Sequence, residues 1–95
     1  MLKVVAKACV KVGETEKFKK LSSELIRESL KEEANISYNL YEDISNKQIL
    51  TFIEEWKDKE GLTKHMKSPH FVRIMSELAK IQEKDMDINV YTNCF

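Results

Sequence analysis

Two histidines, His65 and His70, flank the chain's only proline, Pro69, a short way past its only tryptophan, Trp56. Histidine is the natural general base near neutral pH, because its unperturbed pKa of about 6.5 responds to small changes of environment. Glu54 and Phe52 fall on the strand face that carries Trp56, and Tyr38 stands in the neighbouring strand, with Tyr41 on the opposite face from it. Aromatic and apolar groups with a few titratable ones suit a pocket for a flat hydrophobic ligand that carries one or two polar handles. Each residue also has a plain packing role available. Trp56 and Phe71 can be core, His65 can meet carbonyls at a helix end, His70 can be packed and neutral at a helix start, and Glu54 can be a capping or ion-pair partner.

Other chemistries recede. Histidines five positions apart across a helix break do not share a helical face, and no further ligand stands at metal spacing, so no zinc or non-haem iron site is expected. With only Gly13 and Gly61 the chain has no glycine-rich phosphate loop, and no local Ser/His/Asp or Cys/His signature suggests covalent catalysis. Sixteen basic and sixteen acidic side chains cancel and are dispersed, which leaves no electrostatic footprint for nucleic acid or an anionic membrane. The apolar runs are far shorter than the ~20 residues of a membrane span, and no secretory h-region opens the chain, so a cytoplasmic protein is expected. Cys9 and Cys94 match no metal or redox spacing and read as reduced thiols.

The elements that must position these groups follow from periodicity. Residues 2–12 alternate as a strand, and after Gly13 a cap-like Glu14-Thr15 leads into Phe18, Leu21, Leu25, Ile26 and Leu30, the stripe of an amphipathic helix ending near Glu33. Ile36, Tyr38 and Leu40 resume period two, Ser45-Asn46-Lys47 makes a turn, and a second alternating run extends from Gln48 to Trp56. Asp58 caps a short helix to about Lys67. Ser68-Pro69 then caps another through about Gln82, and a last alternating run extends from Met86 to Phe95. Strand, helix, strand, strand, helix pair, strand is the order of an α+β, ferredoxin-like split βαβ with a four-stranded antiparallel sheet, and one domain over residues 1–95 accounts for the chain. The first and last strands are then neighbours, with Cys9 and Cys94 at opposite ends, which disfavours an intrachain disulfide. In the third strand Ile49 and Ile53 occupy one face while Leu50, Phe52 and Trp56 occupy the other. Helices cover one side of such a sheet, so the second apolar face predicts a sheet-on-sheet homodimer with two-fold symmetry.

Taken as a unit, Glu54-x-Trp56, His65 and Ser68-Pro69-His70-Phe71 resemble the signature of the antibiotic biosynthesis monooxygenase family, and the stretch "NISYNLYED" is similar to that family's second strand. The resemblance implies a dimeric α+β barrel with a small-molecule pocket in each subunit. It also implies oxygenases that use no flavin or metal, in which a base takes a phenolic proton and the substrate itself reduces dioxygen. Glu54, Trp56, His65 and His70 fall on the motif, which makes His65 the favoured proton acceptor or orienting group, His70 the second catalytic candidate, and Trp56 and Glu54 substrate-facing. Phe52 and Tyr38 join the substrate-facing set from the strand faces. A quinol-like or other aromatic small molecule is the substrate expected, and a polyketide is disfavoured, since the amide, phenol and guanidinium groups of polyketide-oxidising members find no counterpart here and Phe52 and Leu62 are apolar where they would be sought. Haem turnover is disfavoured because that branch has tryptophan at His65 and histidine at Met75. Two alternatives stay open: an isomerase for a small phosphorylated signal metabolite, for which Arg73 and Lys64 are the available cations, and a non-catalytic binding module.

Overall fold

The computed structural model describes residues 1–95 as β1 (Leu2–Cys9), α1 (Thr15–Ser29), β2 (Asn35–Asp43), β3 (Asn46–Trp56), α2 (Lys59–Met66), α3 (Pro69–Ala79) and β4 (Asp87–Thr92). The strands form one antiparallel sheet in the order β2-β3-β1-β4. This is the ferredoxin-like arrangement that the element order predicts.

Strand alternation sorts the sheet into two faces. Val4, Ala6 and Ala8 of β1, Tyr38 of β2, and Leu50, Phe52, Glu54 and Trp56 of β3 are buried on one. Phe18 and Leu25 of α1, Leu62 of α2, and Ile74 and Leu78 of α3 close over them as a single core. On the other face the register sets Val5 opposite Ile53 and Cys9 opposite Ile49, with Lys3, Lys7 and Thr51 along the same rows. Ile49 and Ile53 are half-buried there, and no helix covers them.

Several boundaries differ from the sequence reading. β1 stops at Cys9 because Val10 leaves the ladder for an isolated bridge to Gln82, and Gly13 turns the chain at φ +85°, where a side chain would be strained. Glu14 precedes α1 without a side-chain cap, so Thr15 is simply its first helical residue. α1 ends at Ser29, earlier than Glu33, because the next turns tighten: the amides of Lys31, Glu32 and Asn35 each bond the carbonyl three residues back. That tightening takes Glu32 off the helix. α3 likewise ends at Ala79, and β4 is confined to Asp87–Thr92.

Both expected caps of the broken helical connection are made. The Asp58 carboxylate accepts from the Gly61 amide at 2.8 Å, and Ser68 caps α3 with Pro69 at its start. Asp43 closes the β2–β3 turn by accepting from the amides of Ser45 and Asn46. The cysteines are free: Cys9 Sγ lies 3.1 Å from Glu83 Oε1, while Cys94 is exposed. No helix is long and apolar enough to cross a membrane.

Candidate functional site

A small cavity lies between the inner sheet face and the α2–α3 pair, with a free volume of about 40 Å³. Ten of its twelve lining residues are hydrophobic, and its polar members are Glu54 and His65. Tyr38 and Phe52 floor it, Leu62, Met66, Phe71 and Met75 come from the helices, Met86 comes from the approach to β4, and Ile88 from β4 itself. Met66 and Ile88 are about half exposed and mark its mouth.

His65 is fully buried at the end of α2. Its ring lies 4.4 Å from that of Trp56 and 4.8 Å from that of Phe71, centroid to centroid, with Tyr38 edge-on at 5.6 Å. Three aromatic neighbours fix the ring's plane. Its Nδ1 lies 2.7 Å from Glu32 Oε2, and the same oxygen lies 2.9 Å from His70 Nε2. The Ser68 hydroxyl donates to the His65 carbonyl at 2.6 Å and lies 3.2 Å from His70 Nε2.

These contacts assign the protons. The one hydroxyl hydrogen of Ser68 is committed to the His65 carbonyl, and an ionised Glu32 can only accept, so His70 Nε2 carries a proton directed at both. Glu32 accepts from His65 Nδ1 by the same rule, which leaves His65 Nε2 bare. That nitrogen is buried without a hydrogen-bond partner. Burial pulls the His65 pKa below its ordinary value, against the Glu32 hydrogen bond, and keeps the ring neutral. A carboxylate holding one imidazole nitrogen while the other is buried without a partner, on a ring that lines an apolar cavity, is the arrangement of an oriented base.

Glu54 is the second polar group. It is 5 % exposed and accepts from the Trp56 indole N–H at 2.9 Å. Burial pushes its pKa up to about 7, opposed by hydrogen bonds from Trp56 and Tyr38. The Tyr38 phenol is driven upward by its own burial and by Glu54, so it stays protonated.

The expected site residues thus gather in one region in different positions. Tyr38, Phe52, Glu54 and His65 line the cavity. Trp56 stands behind them, fully buried, and meets Glu54 rather than the free space. His70 lies outside the lining and meets His65 through Glu32. The sequence reading missed Glu32, because nothing in its spacing links it to histidines on another connection. The two histidines lie on separate helices and share no helical face, as the sequence reading expects, yet they meet. The break at Ser68-Pro69 folds α3 back so that both rings address one carboxylate oxygen. The cations considered for a phosphorylated ligand lie elsewhere: Arg73 pairs with Glu24, and Lys64 lines outer depressions.

The architecture has close relatives. A conserved protein from Methanosarcina mazei Go1 superposes with a TM-score of 0.95 at 41% identity, over 97% of this chain and 91% of that one. A solved antibiotic biosynthesis monooxygenase superposes at 0.95 with 27% identity over the full length of both. YcnE of Bacillus subtilis, provisionally named a monooxygenase, is 25% identical over 87 residues, covering 90% of this chain and 92% of its own. An uncharacterised Synechocystis protein, sll1783, is 30% identical over 82 residues, and the match spans about half of its length, 56%. Residues 1–77 match the antibiotic biosynthesis monooxygenase family itself, and the chain belongs to that family.

Proposed function

We propose that this protein is a cofactor-independent monooxygenase for a quinol-like or other small aromatic substrate. The observation that carries the reading is His65: its Nδ1 is held by Glu32, and its Nε2 is buried and unpartnered beside an apolar cavity. A ring hydroxyl placed there gives its proton to Nε2, and the resulting imidazolium is stabilised by the Glu32 carboxylate. The electron-rich anion then passes an electron to dioxygen, and the radical pair combines to form a carbon–oxygen bond. One oxygen atom stays on the ring and the other leaves as water, so a quinol plus dioxygen gives a hydroxyquinone plus water with every electron supplied by the substrate. Apolar walls keep water from the radical pair. Glu54, with a pKa near neutrality, offers a hydrogen bond to a second ring oxygen.

The cavity is smaller than a benzene ring needs, which is about 150 Å³ in an apolar core. Met66, Met75 and Met86 are the lining residues able to yield, since unbranched thioether chains repack at little cost. We infer in addition that two copies pair through their outer sheet faces, which covers Val5, Ile49 and Ile53.

An oxygen electrode tests the reaction. With a panel of reduced quinols and no added flavin or metal, the protein is expected to consume dioxygen faster than autoxidation, and His65→Ala to lower that rate by roughly 10²- to 10⁴-fold. Uptake no faster than buffer across the panel, identical in His65→Ala, sinks the reading. Quenching of the single tryptophan by a quinol without any uptake would instead indicate a binding module.

A further inference from the structure

The meeting of Glu32, His65 and His70 has a second capability. Their three donor atoms, a carboxylate oxygen and two imidazole nitrogens, all lie within 4.8 Å of one another. Both nitrogens are aimed at one point, now taken by Glu32 Oε2 at 2.7 and 2.9 Å. We propose that this convergence is a binding site for a single divalent transition-metal cation of the zinc or cobalt type, coordinated by His65 Nδ1, His70 Nε2 and a Glu32 carboxylate oxygen.

Bond lengths of about 2.0–2.2 Å to nitrogen and oxygen require donors roughly 3.3 Å apart in a tetrahedral shell. Opening the two O···N pairs from 2.7 and 2.9 Å moves the carboxylate by about half an ångström, and closing the two nitrogens, up to 4.8 Å apart, moves His70 toward His65; Glu32 and His70 have room for this, being 19% and 18% exposed. His65 needs no rearrangement, since Trp56 and Phe71 already hold its ring. Since His70 is 18% exposed, water can reach the fourth position. Two nitrogen donors select a borderline transition metal over calcium or magnesium, which favour all-oxygen shells.

An approach route exists. Glu32 also lines an outer depression of about 290 Å³, together with Glu33, Asp58 and Glu60 against Lys57 and Lys64. Four carboxylates against two ammonium groups draw a cation toward the histidines. The cation would displace the protons from His65 Nδ1 and His70 Nε2 onto the other nitrogen of each ring, so the unpartnered Nε2 of His65 changes from acceptor to donor. Occupancy therefore opposes any reaction that uses Nε2 as a base. Nε2 has no outer hydrogen-bond partner to strengthen the imidazole, which makes the site reversible.

Zinc binding to the full-length chain tests this without any assay of turnover, so its outcome is independent of the proposed reaction. Calorimetry is run on a Cys9→Ser, Cys94→Ser background to remove thiol ligands. One zinc ion per chain is expected, with a raised thermal midpoint, and cobalt should give the ligand-field bands of a four-coordinate site. His70→Gln, His70→Ala and Glu32→Gln, each verified as folded by circular dichroism, should weaken binding at least about tenfold, while Glu24→Gln leaves it unchanged. Stoichiometry well below one, or unaltered affinity in the folded His70 and Glu32 variants, overturns the proposal.

Discussion

Replacing Glu54 by glutamine keeps an acceptor for the Trp56 indole N–H while removing the titration of a buried carboxyl. Burial raises the folded-state pKa from 4.5 to about 7, so between those values the native chain holds a proton that the unfolded chain has lost. Stability therefore falls as pH rises through that window and levels off above it. At about 1.4 kcal/mol per pKa unit, Glu54→Gln should be more stable than wild type at pH ~8 by up to about 3 kcal/mol, and no more stable below pH ~4. Urea denaturation at both ends measures this, and parallel curves for the two proteins would refute the shift. Trp56→Phe removes a hydrogen bond that favours the ionised carboxylate, so the midpoint of the same pH dependence should move upward. Glu54 was visible in the sequence as a neighbour of Trp56. Its raised pKa was not, because desolvation depends on what the helices lay over it.

Gly61 controls how α2 meets the turn after α1. A Cβ there would lie 2.2 Å from the Ala34 Cβ, and next to this contact the Lys57 amide bonds the Ala34 carbonyl at 2.9 Å. One helical turn on from Gly61 stands His65, so this close approach sets the His65–Glu32 distance. Gly61→Ala should cost about 1–3 kcal/mol through overpacking, and adding Ala34→Gly should restore most of it. Equilibrium unfolding of the single and double variants checks the pairing. Ser68→Ala should cost ~1 kcal/mol by removing the α3 cap. It also frees the His70 contact, so nuclear magnetic resonance of the imidazole protons should show both histidines perturbed. The caps at Asp58 and Ser68 were legible because capping is local chemistry. The early end of α1 was not, because Lys31, Glu32 and Glu33 are all good helix formers and only the approach of α2 favours the tighter turns.

At the scale of the molecule, the sheet has one face sealed by helices and one that carries Val5, Ile49 and Ile53 among lysines and polar residues. A two-fold pairing of that face must bury on the order of 1,200 Å² or more to be stable. Analytical ultracentrifugation at micromolar concentration should report a dimer, and Ile53→Lys should shift it to monomer by placing a charge at the centre of the face. A monomeric wild type would refute the pairing. Family membership rests on residues 1–77 and the fold on the whole chain, whereas the proposed reaction rests on one cavity, which is why the substrate is tested with a panel and not with one compound.

Alternation, amphipathic spacing and capping residues act within a few positions of one another, so the sequence by itself determined the seven elements, their ferredoxin-like order and the membership of Tyr38, Phe52, Glu54, Trp56 and His65 in one region. Only the tertiary structure decided which of them reach free space. Trp56 withdrew behind Glu54, and Glu32 arrived from a turn more than thirty positions from either histidine. Which nitrogen of His65 is left bare also depends on that arrival. Proton placement is fixed by the partner of each polar atom, and such partners are chosen by how α2 and α3 dock onto the end of α1, which no local pattern encodes.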